Sequence, residues 1–427
     1  MRVTLVTFGS RGDAEPFVAL GERLVARGHE VRLVTHAMFA PMAEGTGIVV
    51  CGARGRSVRE LLDDPEGRAL LDGVRNPFRA VRRLASFLEP ELRLLYADTA
   101  AGVAGADVVL CSPATMPGLD AAEAHGVPVV QAQLQPLAST RAFPAPVAWV
   151  GARTLGPLGN RASFALDESA TALLLRGPVG ACRRDVLGLA PQGVRAVRAA
   201  RRPDRGALVA VSPHVVPRPP DWPARVRLTG PWWRPAPPPG PLDDATEAFL
   251  AAGPAPVLVG LGSMPVKDPE ATTAAIVGAA RDAGVRLLLQ RGWANLGAGL
   301  EGRDDVRVLG DVPHDALLPR VRAVVHHGGA GTTGRGLLHG RPTLVLPVLA
   351  DQFFWGHRLA ALGVGPPALP LARLDRAALA ARLRALARDP GYVRRAAAVG
   401  TALWAEDGCA TAVDALEELT GWAPAAT

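Results

Sequence analysis

Residues Ala323 to Gly336 read AVVHHGGAGTTGRG, an apolar run that meets two histidines and a cluster of glycines before LLHG follows. The apolar run is expected to be a buried strand, and the stretch carrying Leu337 and Leu338 a short helix closed by a glycine. The histidines therefore fall where a strand ends and a helix begins. In open parallel α/β sheets that edge is where ligands bind. Glycines let the backbone approach a ligand closely, and the first amides of a helix are unpaired and carry a partial positive charge, so the turn suits an anion. A metal fits poorly, because adjacent strand residues point to opposite faces and no further ligands stand at metal spacing. One histidine is expected to face the helix mouth and the other to pack away from it, with His326 the one drawn toward the mouth.

The same alternation extends in both directions. Short β-branched runs such as RVTLVTF, EVRLVTH, DVVLC and VPVVQA alternate with helical patterns, and a second series begins at PVLVGLGS and runs through VRLLLQ, VRVLG, RAVVHH and PTLVLP. Two series of this kind predict an α/β protein with two Rossmann-like, doubly wound parallel-sheet domains facing across a cleft. Pro213 to Pro241 holds eleven prolines, which lack the amide donor a sheet needs. The expected organisation is thus a first domain over 1–215, a Pro-rich linker over 216–241, a second domain over 242–400, and a C-terminal helix over 401–427 returning to the first domain.

Composition excludes several classes. With 427 residues, 48% hydrophobic and 20% charged, the chain can bury large cores and is neither disordered nor fibrous. The net charge is +7, but the arginines are dispersed and Lys267 is the single lysine, which argues against a nucleic-acid-binding stripe. Cys51, Cys111, Cys182 and Cys409 are far apart and form no CxxC pair, so a reducing, cytoplasmic setting is expected and neither zinc nor a disulfide framework is indicated. MRVTLVTFGSRGD turns polar too early for a signal peptide, and no later run would insert stably in a membrane.

Neither common phosphate loop is present. GxxxxGK[ST] is absent, and the first strand is followed by GSRGDAEP rather than GxGxxG. ADQFFWG, at 350–356, follows the strand PTLVLP, and its acid and amide suit the hydroxyls of a polyol. Phosphate plus polyol points to a nucleotide sugar.

HHGGAGTT followed by GRPTLVLPVLADQFFWG resembles the donor-binding signature of inverting, metal-independent nucleotide-sugar glycosyltransferases of the GT-B fold. With GSRGDAEPFVALGERLVARGHEV at the start, the chain is similar to the vancomycin-pathway and sterol glycosyltransferases. The resemblance implies that His326 contacts the α-phosphate, that Gly329, Gly331 and Thr332 hold the diphosphate, and that Ser263 approaches it. It implies sugar contacts from Asp351 and Gln352, and a nucleobase environment around Arg291, Trp293 and Val312. Phe353 stands where relatives often carry proline after the DQ pair, which bears on sugar preference. Asp13 takes the place of the family's general base, although an aspartate opening a helix is also an ordinary cap. Glu15 is expected to be only a helix-start acid.

The expected reaction moves a sugar from a UDP or dTDP donor to a hydroxyl of a lipophilic small molecule, with the nucleotide sugar as co-substrate and no cofactor or metal. Arg11, Phe78, Phe87, Phe143 and Trp149 are expected around an apolar acceptor site, which favours a polyketide, sterol or other natural-product aglycone. No nucleic-acid partner is expected, and the protein is expected to be a monomer or homodimer. A nucleotide-sugar epimerase or hydrolase on the same scaffold would place several acids and histidines in the cleft. A catalytically silent activator protein would show a damaged donor loop or a lost DQ pair, and both are intact.

Overall fold

The computed structural model describes residues 1–56, 60, 77–147, 154–234, 240–264, 266–300 and 303–423, with the backbone alone for 77–86. Its first lobe is built on a seven-stranded parallel sheet in the order β3-β2-β1-β4-β5-β6-β7. These strands are β1 (Arg2–Val6), β2 (Glu30–His36), β3 (Val49–Ala53), β4 (Val108–Cys111), β5 (Val129–Gln133), β6 (Ala207–Val209) and β7 (Val226–Leu228). The second lobe carries five parallel strands ordered β10-β9-β8-β11-β12, namely β8 (Val257–Gly260), β9 (Leu287–Gln290), β10 (Val306–Leu309), β11 (Ala323–His326) and β12 (Thr343–Val345).

The central strands are apolar on both faces because helices cover both faces of a parallel sheet. Leu5 lies opposite Leu33 on one side and Leu110 on the other, and all three are fully buried. Each sheet reverses its strand order once, between β1 and β4 in the first lobe and between β8 and β11 in the second. A crevice opens at the carboxyl ends of the strands at such a switch point. The ends of those four strands and the connections leaving them carry Asp13, Ser112 to Thr115, Ser263 and the histidine pair.

The helices that position the cleft are α1 (Arg11–Ala26), α2 (Pro77–Val103), α3 (Met116–His125), α4 (Gly156–Asp185) and α5 (Val194–Ala200) in the first half. In the second half come α6 (Asp244–Ala251), α7 (Pro269–Ala283), α8 (His314–Leu317), α9 (Ala330–Leu338), α10 (Gln352–Leu362), α11 (Arg376–Arg388), α12 (Pro390–Trp404) and α13 (Gly408–Thr420). α13 packs on α1: Cys409, Ala412, Val413 and Leu416 share one core with Phe17, Leu20 and Leu24. Its outer edge adds ion pairs from Asp407 to Arg23 and from Asp414 to Arg27, and Glu417 lies 3.1 Å from His29.

The Pro-rich segment differs from the expected linker over 216–241. Its Val226–Leu228 is a strand of the first sheet, with Leu208 opposite Arg227. The edge position explains how a strand survives among prolines, since only one side of it needs ladder hydrogen bonds. Trp232 follows and is buried edge-on against Phe17, with ring centroids 5.8 Å apart.

Candidate functional site

β11 lies between β8 and β12, with His326 opposite Gly260 and Val345. Its imidazole is 1% exposed. The last residue of this central strand is thus closed to solvent, with its ring turned toward the glycine turn that follows. The Gly328 amide donates to His326 Nδ1 at 2.8 Å, which assigns the ring proton to Nε2, and that nitrogen is buried without a partner among the described residues. Burial lowers the pKa to about 3, so the ring is a neutral donor at physiological pH.

His327 is the imidazole that meets the surrounding loops. A Cβ on Gly262 would stand 3.1 Å from its Cε1, and one on Gly329 would stand 2.6 Å from its Nε2. Its burial lowers the pKa to about 4, and its Nδ1 is likewise without a partner among the described residues. Gly329 is the N-cap of α9, so only glycine leaves room for this ring where the helix amides open. Gly331 is exposed on the first turn, Thr332 is half-buried beside it, and Thr333 is buried with an unpartnered hydroxyl. No group of three or more metal-ligating side chains occurs among the described residues.

Ser263 leaves β8 through Gly262, whose φ of +58° is in the left-handed region and whose carbonyl accepts the Trp293 amide at 3.0 Å. That bond joins the serine loop to Arg291 and Trp293, and the Trp293 side chain is 42% exposed. Val312 is half-buried and packs against the core of Leu242, Phe249 and Leu317.

Asp351 and Gln352 follow Ala350, a non-glycine residue at φ +52°. Strain of this kind persists only where surrounding structure enforces it. Trp355 Nε1 donates to Asp351 Oδ2 at 2.9 Å, and Gln135 of the first lobe lines the same cavity as Asp351. Burial raises the Asp351 pKa to about 6, with a further push from the charge of Asp13. Gln352 departs from the expected cleft-facing amide. Its Oε1 accepts the amides of Val348 and Leu349 at 2.7 and 3.1 Å, and its Nε2 lies 3.0 Å from Met264 Sδ, so its amide is engaged within its own lobe.

Across the cleft, Asp13 occupies the third position of α1. Ser10 donates both its amide, at 2.8 Å, and its hydroxyl, at 2.9 Å, to Asp13 Oδ2. The cap geometry and the cleft position thus coexist in one residue. Burial is the largest influence and raises the carboxyl pKa, while the two Ser10 bonds oppose it. Asp13 and Asp351 line the same cavity of about 610 Å³, together with Phe17, Leu92, Leu95, Pro117, Leu134 and Phe164.

The expected acceptor residues fare unevenly. Phe143 faces elsewhere: its ring packs edge-on to Phe354 of the second lobe at 5.3 Å and to Trp222 at 6.4 Å, in an aromatic seam joining the lobes. Phe87 lies beneath the Arg56 guanidinium at 5.4 Å, while Leu92 and Leu95 of the same helix line the cavity. Trp149 and the Phe78 side chain lie outside the described residues. Arg11 is exposed and pairs with Glu15 at 3.4 Å. Glu15 exceeds its expected helix-start role, because it also meets Arg335 of α9 at 3.4 Å, and Arg335 binds Asp315 at 3.0 Å. The sequence reading missed Gln135, although its place after β5 at the sheet edge was a usable signal, and it missed Asp167, Glu168 and Arg201, which carry no local pattern.

Two family models match the chain: the glycosyltransferase family 28 N-terminal domain over residues 3–144, and the erythromycin biosynthesis protein CIII-like C-terminal domain over residues 295–419. O-mycaminosyltylonolide 6-deoxyallosyltransferase from Streptomyces fradiae is 36% identical over 445 residues, covering 100% of this chain and 99% of that one. Sterol 3-beta-glucosyltransferase from Yarrowia lipolytica is 31% identical over 430 residues, covering 97% of this chain, which spans 28% of the length of that relative. Among solved structures, a calicheamicin glycosyltransferase superposes with a TM-score of 0.68 at 19% identity over 100% of both chains, a likeness of fold. The glycosyltransferase of kitacinnamycin does so with a TM-score of 0.68 at 22% identity, over 98% of this chain and 99% of that one. With 36% identity along the whole of the Streptomyces fradiae enzyme, the chain belongs to the same family of glycosyltransferases, and its two parallel-sheet lobes have the GT-B fold.

Proposed function

We propose that the protein transfers a sugar from a UDP or dTDP donor to a hydroxyl of a lipophilic natural product, with inversion and without a metal. The observation that carries this reading is the pairing of a buried carboxylate on one lobe with a glycine-capped helix start on the other, both at switch points. The departing diphosphate develops charge that the α9 N-terminus stabilises, a dipole contribution of about 0.3 to 2 kcal/mol. His326 adds an Nε2 proton to a phosphate oxygen, and Gly331, Thr332 and Ser263 supply further donors. An unsatisfied buried donor costs about 1 to 3 kcal/mol, and a phosphate oxygen on Nε2 would offset that cost.

Asp13 takes the proton from the acceptor hydroxyl. Ser10 fixes Oδ2 and leaves Oδ1 for the substrate, while burial makes the carboxylate a stronger base than one in water. The hydroxyl oxygen forms its bond to the anomeric carbon as the bond to the diphosphate oxygen breaks, from the opposite face. Asp351 accepts hydrogen bonds from the sugar, and Trp293 and Arg291 flank the base. The names of the macrolide and sterol relatives favour a polyketide or sterol-like acceptor, and the apolar lining supports the same class.

The test is thermal unfolding with UDP, dTDP and GDP. A ligand at a hundred times its Kd stabilises by about 2.7 kcal/mol, so UDP or dTDP is expected to raise Tm by several degrees and GDP to leave it unchanged. No shift with either pyrimidine nucleotide would remove the reading.

A further inference from the structure

Part of the cavity wall beside Asp13 is not apolar. Where α4 meets the turn after α5, Asp167, Glu168, Thr171 and Arg201 line it. Arg201 is 9% exposed, and its Nε is buried without a hydrogen-bond partner among the described residues. Glu168 accepts Arg198 Nε at 3.2 Å. Burial raises the carboxyl pKa values of Asp167 and Glu168 and lowers that of the Arg201 guanidinium, while the Arg201 charge acts in the opposite sense on both acids. Two carboxylates are therefore set against two guanidiniums, and the wall is close to neutral. Burying such groups is costly and often inferior to apolar packing, so stability does not account for them. What the Arg201 guanidinium lacks is a hydrogen-bond partner, not a balancing charge.

We propose that this wall recognises a neutral, hydroxyl-rich group on the acceptor, a sugar residue already attached to the apolar body, while Asp13 serves a different hydroxyl of the same molecule. The inference rests on the reading of the cavity as the acceptor site. A hydroxyl both donates and accepts, so a polyol can donate hydrogen bonds to Asp167 and accept them from Arg201. A lone ammonium would meet the charge of Arg201, and a lone carboxylate would meet that of Asp167. Leu92, Leu95 and Phe164 take the apolar body. The reaction that supplies such an acceptor is an earlier glycosyl transfer, which makes this enzyme a second-acting one.

Simple amphiphiles test this without knowledge of the natural acceptor. Binding of n-octyl β-D-glucoside, 1-octanol, octylamine and octanoate is measured by calorimetry below micelle-forming concentrations, with UDP and dTDP stabilisation recorded on the same preparation. The glucoside is expected to bind about tenfold or more tightly than octanol, the effect of hydrogen bonds to charged groups, and more tightly than the amine or the acid. Asp167→Asn and Arg201→Gln are each expected to reduce that preference to within about threefold while octanol binding and nucleotide stabilisation persist. Equal affinity for octanol and glucoside overturns the proposal, as does preference for octylamine, absence of glucoside binding, or an unaltered preference in a folded Asp167→Asn protein. If the nucleotides stabilise and the glucoside is not preferred, only this inference falls; if they do not, the donor reading falls as well.

Discussion

The two edges of the cleft solve opposite problems. On the second lobe, His326, His327, Gly262 and Gly329 are packed so closely that a single added carbon would lie 2.6 Å from an imidazole nitrogen. On the first lobe, Asp13 opens onto about 610 Å³ of space walled by helices from distant parts of the chain. A diphosphate is small and constant in shape, so it can be bound by backbone held in one form. An acceptor is large and variable, and the proposed reading has it met by side chains around a void. The titratable groups carry the same contrast: burial keeps imidazole neutral on one edge and makes carboxylate more basic on the other.

The sharpest way to break this division is Asp13→Asn. Transfer is expected to fall by about 10² to 10⁴-fold while the Kd for UDP or dTDP stays unchanged, and equal loss of nucleotide binding would place Asp13 on the donor side. Gly329→Ala attacks the other edge. Forcing a methyl against His327 is expected to weaken nucleotide binding about tenfold or more, the cost of shifting packed groups by some 1 to 3 kcal/mol, with little effect on acceptor binding.

Asp351 sharpens the comparison through pH. Its folded pKa of about 6 lies above the ordinary value of 3.8, so the folded state holds the proton more tightly and stability rises as pH falls from about 7 toward 4. Asp351→Asn removes that penalty and is expected to stabilise the protein at pH 7.5 by about 1 to 3 kcal/mol, with little change at pH 4 and a loss of sugar affinity. Denaturant melts at the two pH values read the difference. In the same direction, protonation of Asp13 sets an acid limb of kcat/KM above the usual carboxylate range, and Asp13 must be ionised to act. The smallest effect belongs to the bridge between the edges. Glu15→Gln is expected to cost about 0.2 to 1 kcal/mol, and a double-mutant cycle with Arg335→Gln should recover a coupling of that size.

The glycine-rich strand-to-helix edge was legible because it is local. A run of glycines beside histidines has few backbone solutions, and strand alternation located it on the sheet. Solvent access was not legible: His326 reads as a mouth residue, and its ring is closed to solvent. The cavity edge was harder for a related reason. Leu95, Asp167 and Arg201 come from three helical regions with no shared periodicity, and only tertiary packing brings them to one wall. Phe143 has the composition of a cavity aromatic, yet it turns to Phe354. Among eleven prolines the strand Val226–Leu228 was hidden, since three residues are too few for alternation to register.

The helix that presents Asp13 is gripped from behind by the last helix of the chain, through Cys409, Ala412 and Leu416 and the ion pairs of Arg23 and Arg27. The proposed proton acceptor thus has a handle some four hundred residues away from it in sequence. Truncation at Asp407, or an oversized side chain at Ala412, would loosen the seat of α1, and the injury would be felt as poor chemistry with nucleotide affinity intact.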